Sequence, residues 1–311
     1  MSVPRVSFVN NGGIDVAFLL YSLSPKSFIP HSRQKVPREL ESIAQEYGLF
    51  GERNDLWSPR DGLPKFHFLC TSLVDNQASV FSDVNRKYGD LTEPFRVLAE
   101  KAKLAYSVDR QLEALGDLSS LWKKSSSLIE NAQEIARIRF RLADYAVFVL
   151  LSLSGKFGMP CMVHDKYIFI NAQEQQGEFI TDAVFHELLH QLLLGHRYST
   201  EGKFFVGHFL WQPRRAMMEE VVLPCLRMEI CDDVEIRRKE RERVLHLEQH
   251  LPFLEPFTPL FPKVLQDWEE EYMQSQSENL QDFIDKCTRK YLNPLKFMFL
   301  MRKMSSRKIM A

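Results

Sequence analysis

Residues 185–196 read Phe-His-Glu-Leu-Leu-His-Gln-Leu-Leu-Leu-Gly-His, three histidines and one glutamate in a short, otherwise apolar run. His186 and His190 are four residues apart. On a helix that separation turns the chain by about 400°, so the two imidazoles project from one face, one turn apart. Two imidazoles so placed can hold one Zn²⁺, and Glu187, beside the first, can reach a water on that metal. Zinc brings the pKa of such a water to about 7. Glu187 would take its proton and pass it to a leaving amine. With 9 histidines in 311 residues, this spacing rarely arises by chance.

Catalytic zinc usually has three protein ligands, and the third must lie outside His186 and His190. His196 is ten residues after His186. The leucines from Leu192 to Leu194 should keep the helix going past His190, with Gly195 as its terminator. Extrapolating that helix carries His196 about 240° around from His190, where it would complement the helix dipole instead. The other source is Met217–Arg227, Met-Met-Glu-Glu-Val-Val-Leu-Pro-Cys-Leu-Arg. Glu219 and Glu220 stand next to an apolar run that should be buried, and buried carboxylates are costly unless something meets them. Zinc could meet one. Salt bridges to Arg214, Arg215 or Arg227 could instead account for both. Neighbours on a helix diverge by about 100°, so only one of the two should point inward.

Between Tyr167 and about Arg227 the chain resembles the zincin metallopeptidases, and HELLH is the sharply specific element of that resemblance. The family places a sheet-edge strand upstream of the motif helix, lining the substrate cleft, and Tyr167–Asn171 is in position to be it. In the gluzincins a glutamate on a second helix completes the site, and the Glu-Val-Val-Leu run resembles that helix. The ligand set this implies is His186, His190 and Glu220, with Glu187 as general base. The metzincin pattern has a bending glycine seven residues after the first histidine, where this chain has Leu193. The resemblance implies a zinc-dependent peptidase acting on a peptide or protein substrate. Two other readings are a non-catalytic metal-binding or interaction protein on a zincin scaffold, and a metzincin-like site using His196. Tyr198, His208, Arg214 and Arg215 are the candidates for stabilising an oxyanion.

The elements around the motif suggest a predominantly helical, zincin-like α+β fold with a small sheet next to the HELLH helix. Residues 1–155 would form a mixed and helical region, and 156–311 the catalytic region with a helical C-terminal part. Arg5–Val9 suits a strand, Asn10–Gly13 a turn, and Asp15–Leu23 a short buried helix. Arg38–Tyr47 has amphipathic helical spacing. Thr92 should cap a helix reaching about Leu115, and Leu128–Leu151 reads as a second long helix with a buried end. Met159–Val163 and Tyr167–Asn171 suggest a hairpin, and Thr181 is placed to cap the HELLH helix. Arg214–Arg227, Lys263–Met273 and Leu280–Tyr291 read as further helices.

Composition sets the outer limits. The formal net charge is −1, which gives no reason to expect a nucleic-acid partner. The cysteines at 70, 161, 225, 231 and 287 are odd in number and form no Cys-x-x-Cys pair, which fits a reducing, cytoplasmic setting. No stretch reads as a signal peptide or a transmembrane helix. The basic, apolar C-terminal run should pack as a helix and end in a frayed tail. His246 and His250 repeat the four-residue spacing, but in a densely charged stretch that suits a solvated face.

Overall fold

The structure is a computed structural model that describes residues 3–9, 11–24, 37–57, 62–74, 89–106, 118–123, 127–140, 142–150, 162–164, 167–171, 177–197, 211–230, 234–246 and 252–308. The chain is mostly helical with one small sheet, an α+β arrangement. It forms two compact units, each built from two stretches of sequence. One joins Ser2–Ser125 to Leu142–Glu187, and the other joins Ser126–Arg141 to Leu188–Ala311. This division follows a different line from a single cut near residue 155.

The first unit holds the sheet. Strands β1 (Arg5–Val9), β2 (Asp144–Leu150) and β4 (Tyr167–Asn171) run parallel, and β3 (Met162–His164) pairs antiparallel with β4, in the order β1-β2-β4-β3. Val147 of β2 is level with Phe8 on one side and Ile168 on the other. The expected hairpin is therefore present. The edge role expected of Tyr167–Asn171 is not, because β3 folds back outside β4 and takes that edge. All five β4 residues are accordingly buried.

Helix α1 (Gly12–Leu23) is buried from Gly13 to Ser22 and packs against β2. Asn11 caps it, its side chain accepting from the Ile14 N–H at 3.1 Å, so the glycines expected in a turn instead begin the helix. Helices α2 (Arg38–Arg53), α3 (Gly62–Ser72) and α4 (Thr92–Ala105) surround an aromatic core. Phe18 meets Phe66 at 4.9 Å and Phe169 at 5.2 Å, joining α1, α3 and the sheet. A 3-10 turn, Gly89–Leu91, leads into α4, so Leu91 rather than Thr92 holds the cap position. The helix ends at Ala105, short of Leu115, where Tyr106 turns extended.

The expected long helix over Leu128–Leu151 is two elements. Helix α5 (Ser127–Ala136) stops where Arg137 adopts a left-handed φ of 55°. The run Asp-Tyr-Ala-Val-Phe-Val-Leu is then β2, a central parallel strand whose last four residues are all buried. Such a strand is apolar on both faces, so its sequence looks the same as a buried helix end.

Helix α6 (Gly177–Arg197) carries the HELLH motif, and the boundary between the units falls inside it, after Glu187. It begins four residues before Thr181, which is thus not its cap. In the second unit, α7 (Trp211–Ile230) touches α5, α8 (Val234–Leu245), α9 (Phe261–Asp267), α10 (Leu280–Tyr291) and α11 (Pro294–Lys308). Every residue from Val221 to Met228 is buried. The Lys263–Met273 stretch divides into α9 and a π-helical turn, Trp268–Tyr272. Pro25, Pro30, most of the Ser58–Gly62 turn and residues 247–250 of the second histidine pair lie outside the described residues.

Two glycines of α2 should respond oppositely to alanine. A Cβ at Gly51 would sit 2.5–2.7 Å from three atoms of the Trp57 indole, whereas one at Gly48 meets nothing within 4 Å. Gly51→Ala should cost about 1–3 kcal/mol by overpacking. Gly48→Ala should gain up to about 1 kcal/mol of helix propensity. Urea unfolding midpoints of the two variants check the pair.

Candidate metal centre

Most of the residues of helix α6 whose burial is described are buried. Val184, Phe185, Leu188, Leu189, Leu192 and Leu193 are in the core, and Glu187 and Gln191 are buried polar residues. Ala183, His186 and His190 are half-buried and follow i, i+3, i+7 spacing, so they form one stripe. Among the helix residues whose burial is described, this stripe is the part that is not fully buried. Ligand atoms of His186, Glu187 and His190 all lie within 4.8 Å of one another, the one such group of His, Cys, Asp and Glu among the described residues. This closeness belongs to a single helical turn and needs no other element.

The second unit brings α7 to His190. Glu220 Oε1 is 3.3 Å from His190 Nε2, and Glu219 Oε2 is 3.6 Å from His190 Nδ1. The expectation that only one of the adjacent glutamates points inward is therefore corrected. An imidazole is narrow enough for carboxylates diverging from neighbouring positions to reach its two nitrogens.

Their surroundings differ. The Glu219 side chain has 0% exposure and pairs with Arg215, one turn earlier on α7. Arg215 Nε also donates to Asp285 Oδ1 of α10 at 2.8 Å. Glu220 retains 24% exposure. The salt-bridge reading holds for Glu219, then, while Glu220 is the glutamate that faces His190 Nε2. Pro224 has no N–H to give the Glu220 carbonyl one turn before it, which loosens α7 where this residue sits.

The donor set suits a divalent cation. Two ligands on a tetrahedral zinc, each about 2.0–2.1 Å from it, are about 3.3 Å apart. The Nε2 to Oε1 distance of 3.3 Å matches that spacing. Glu219 and Glu220 of the second unit face the ring of His190, Arg215 ties Glu219 to Asp285, and Arg289 Nη2 also lies 4.0 Å from Asp285 Oδ2. Neither Cys225 of α7 nor Cys287 of α10 belongs to the group of His186, Glu187 and His190. Burial raises the thiol pKa of Cys225 far above its ordinary value and pushes that of Cys287 up to about 12.

Helix α6 does not end at Gly195 but continues to Arg197, since packing of its leucine face outweighs the weak helix propensity of one glycine. His196 therefore remains on the helix backbone, about 240° around from His190. Arg214 Nε donates to the Leu292 carbonyl and Arg215 serves the carboxylates, so both arginines are engaged in the fold. Tyr198 and His208 lie outside the described residues. Asp285 was not legible as part of the site, because nothing in sequence links it to a residue 70 positions earlier. The signal for Glu219 was its i, i+4 spacing from Arg215.

No protein-family model, curated protein or solved structure matches the chain. Among the described residues, no helix is long and apolar enough to cross a membrane.

Removing Arg215 should be costly. Arg215→Ala leaves Glu219 and Asp285 without their shared cation, and breaking such a buried pair costs about 3–5 kcal/mol. Arg238→Ala, which breaks an exposed pair with Glu235, should unfold near the wild-type midpoint. Denaturant titration of both variants tests this contrast.

Proposed function

We propose that the chain is a zinc-dependent peptidase of gluzincin type, hydrolysing peptide bonds in a peptide or protein substrate. The observation that carries this reading is the 3.3 Å approach of Glu220 Oε1 to His190 Nε2, on the same helical turn as His186 and Glu187. A small sheet leading in sequence to an HExxH helix, with a glutamate on the next helix, is the order that gluzincins share. His186, His190 and Glu220 are the residues that would hold the metal. Bound there, Zn²⁺ would supply a Lewis acid and bring the pKa of water near neutrality.

The remaining chemistry falls to the chain itself. Glu187 is buried on α6, next to His186 and away from bulk water. Its carboxylate accepts a proton from the attacking water and returns it to the nitrogen of the departing amine. The peptide C–N bond breaks as the new C–O bond forms, and the proton balance closes on Glu187. Glu220 contributes negative charge, so the centre is less positive than one built from three neutral histidines. Arg214 and Arg215, occupied elsewhere, take no part in stabilising the oxyanion.

Metal content and hydrolysis of a mixed peptide library test the proposal together. Wild type should hold about one zinc per chain, and His186→Ala or His190→Ala should lose it. Glu220→Ala should bind zinc weakly while His196→Ala binds near normally. Glu187→Gln should keep the metal and lose hydrolysis by about 10²–10⁴-fold. Stoichiometric zinc in both histidine variants rules the site out. Hydrolysis unchanged in Glu187→Gln removes the catalytic role of that residue and favours a non-catalytic metal protein.

A further inference from the structure

Helix α11 carries apolar side chains on two faces, and packing within the second unit accounts for one of them. We infer that the other face docks the protein onto an anionic lipid surface. Leu295, Met298 and Phe299 enter the headgroup boundary, and the basic residues of the helix meet the lipid phosphates.

The argument rests on exposure and charge. Phe297 and Leu300 are buried, and the helix packs on α7 and on a 3-10 helix, Pro252–Leu260. The Phe297 ring lies 6.4 Å from that of buried Phe257. Leu295, Met298 and Phe299 are instead 81%, 56% and 59% exposed. At about 100° per residue they share an arc of about 100° with Arg302, on the side away from Phe297 and Leu300. Lone exposed apolar residues are ordinary, but three at i, i+3 and i+4 make a continuous ridge. The charge on this helix has one sign. It carries Lys296, Arg302, Lys303, Arg307 and Lys308, and none of residues 286–311 is Asp or Glu. Lys296 and Arg302 are exposed, and neither pairs with a carboxylate among the described residues.

These features together select the occupant. Two copies docked through this ridge would set five cations against five, with no carboxylate on either helix to offset them. A bilayer rich in acidic lipid supplies negative charge over a plane and receives a ridge without a matching groove. Lysine and arginine reach its headgroups on long apolar stems. At 15 residues the helix is too short to cross a bilayer, so it lies along the surface.

Flotation of the full chain with vesicles tests this. Wild type should float with phosphatidylcholine vesicles containing about one-third phosphatidylserine, and not with phosphatidylcholine alone. Raising salt from about 0.1 M to about 1 M should weaken binding. Lys296→Gln with Arg302→Gln should lose about 25-fold, about fivefold for each charge. Met298→Ser with Phe299→Ser should lose about tenfold or more. All four side chains are exposed, so both pairs should keep the wild-type unfolding midpoint. The glutamine pair decides the matter if the serine pair does not fold. Wild-type binding in either folded pair, or equal flotation with both vesicles, overturns the inference. A chain that does not float but sediments as a dimer, and as a monomer in the serine pair, also overturns it and assigns the ridge to a second copy. A monomer that ignores both vesicles overturns it too and leaves the ridge to an acidic protein. None of these readouts involves zinc or hydrolysis, so they leave the peptidase reading untouched.

Discussion

The second unit depends on how one buried carboxylate is met. Glu219 sits on a helix enclosed by neighbours, with none of its side chain reaching water. An ionised carboxylate there costs several kcal/mol unless a cation and hydrogen bonds offset its lost hydration. Arg215, one turn away, supplies the cation, but it too is buried and needs more than one partner. Asp285 supplies that second partner and links α7 to α10. The apolar packing of α7 is non-directional and would tolerate a rotated helix. The ion pairs are directional, and they fix which residues α7 turns toward α6.

That orientation sets the chemistry of His190. A free imidazole rotates and exchanges its tautomers. Carboxylates facing both nitrogens restrict the ring and make it a group of defined direction. Two guanidiniums, Arg215 and Arg289, face Asp285, and Arg215 also pairs with Glu219.

Much of this was legible in the sequence because the signals were local. The HELLH spacing, the hairpin before it, the buried first helix and the amphipathic Leu280–Tyr291 each follow from periodicity or turn chemistry within a dozen residues. Where tertiary context decides, the sequence misled. Tyr145–Leu150 is apolar throughout, and only its place in the middle of the sheet makes it a strand. Gly195 has the chemistry of a helix terminator, yet the helix passes through it. The helical divergence of Glu219 and Glu220 was sound geometry, but it left out the width of the ring between them. The tie from Arg215 to Asp285 spans too much chain for any local pattern to show.

The proposed zinc centre consists of two imidazoles and one carboxylate, those of His186, His190 and Glu220. X-ray absorption at the zinc K-edge of the loaded protein tests it most directly, since it counts ligand types without needing a substrate. The account predicts a first shell of nitrogen and oxygen alone at about 2.0–2.1 Å, with outer-shell scattering from two imidazoles. In Glu220→Gln that first shell should lose its carboxylate contribution. A third imidazole, a sulfur shell at about 2.3 Å, or a wild-type spectrum in Glu220→Gln would contradict it.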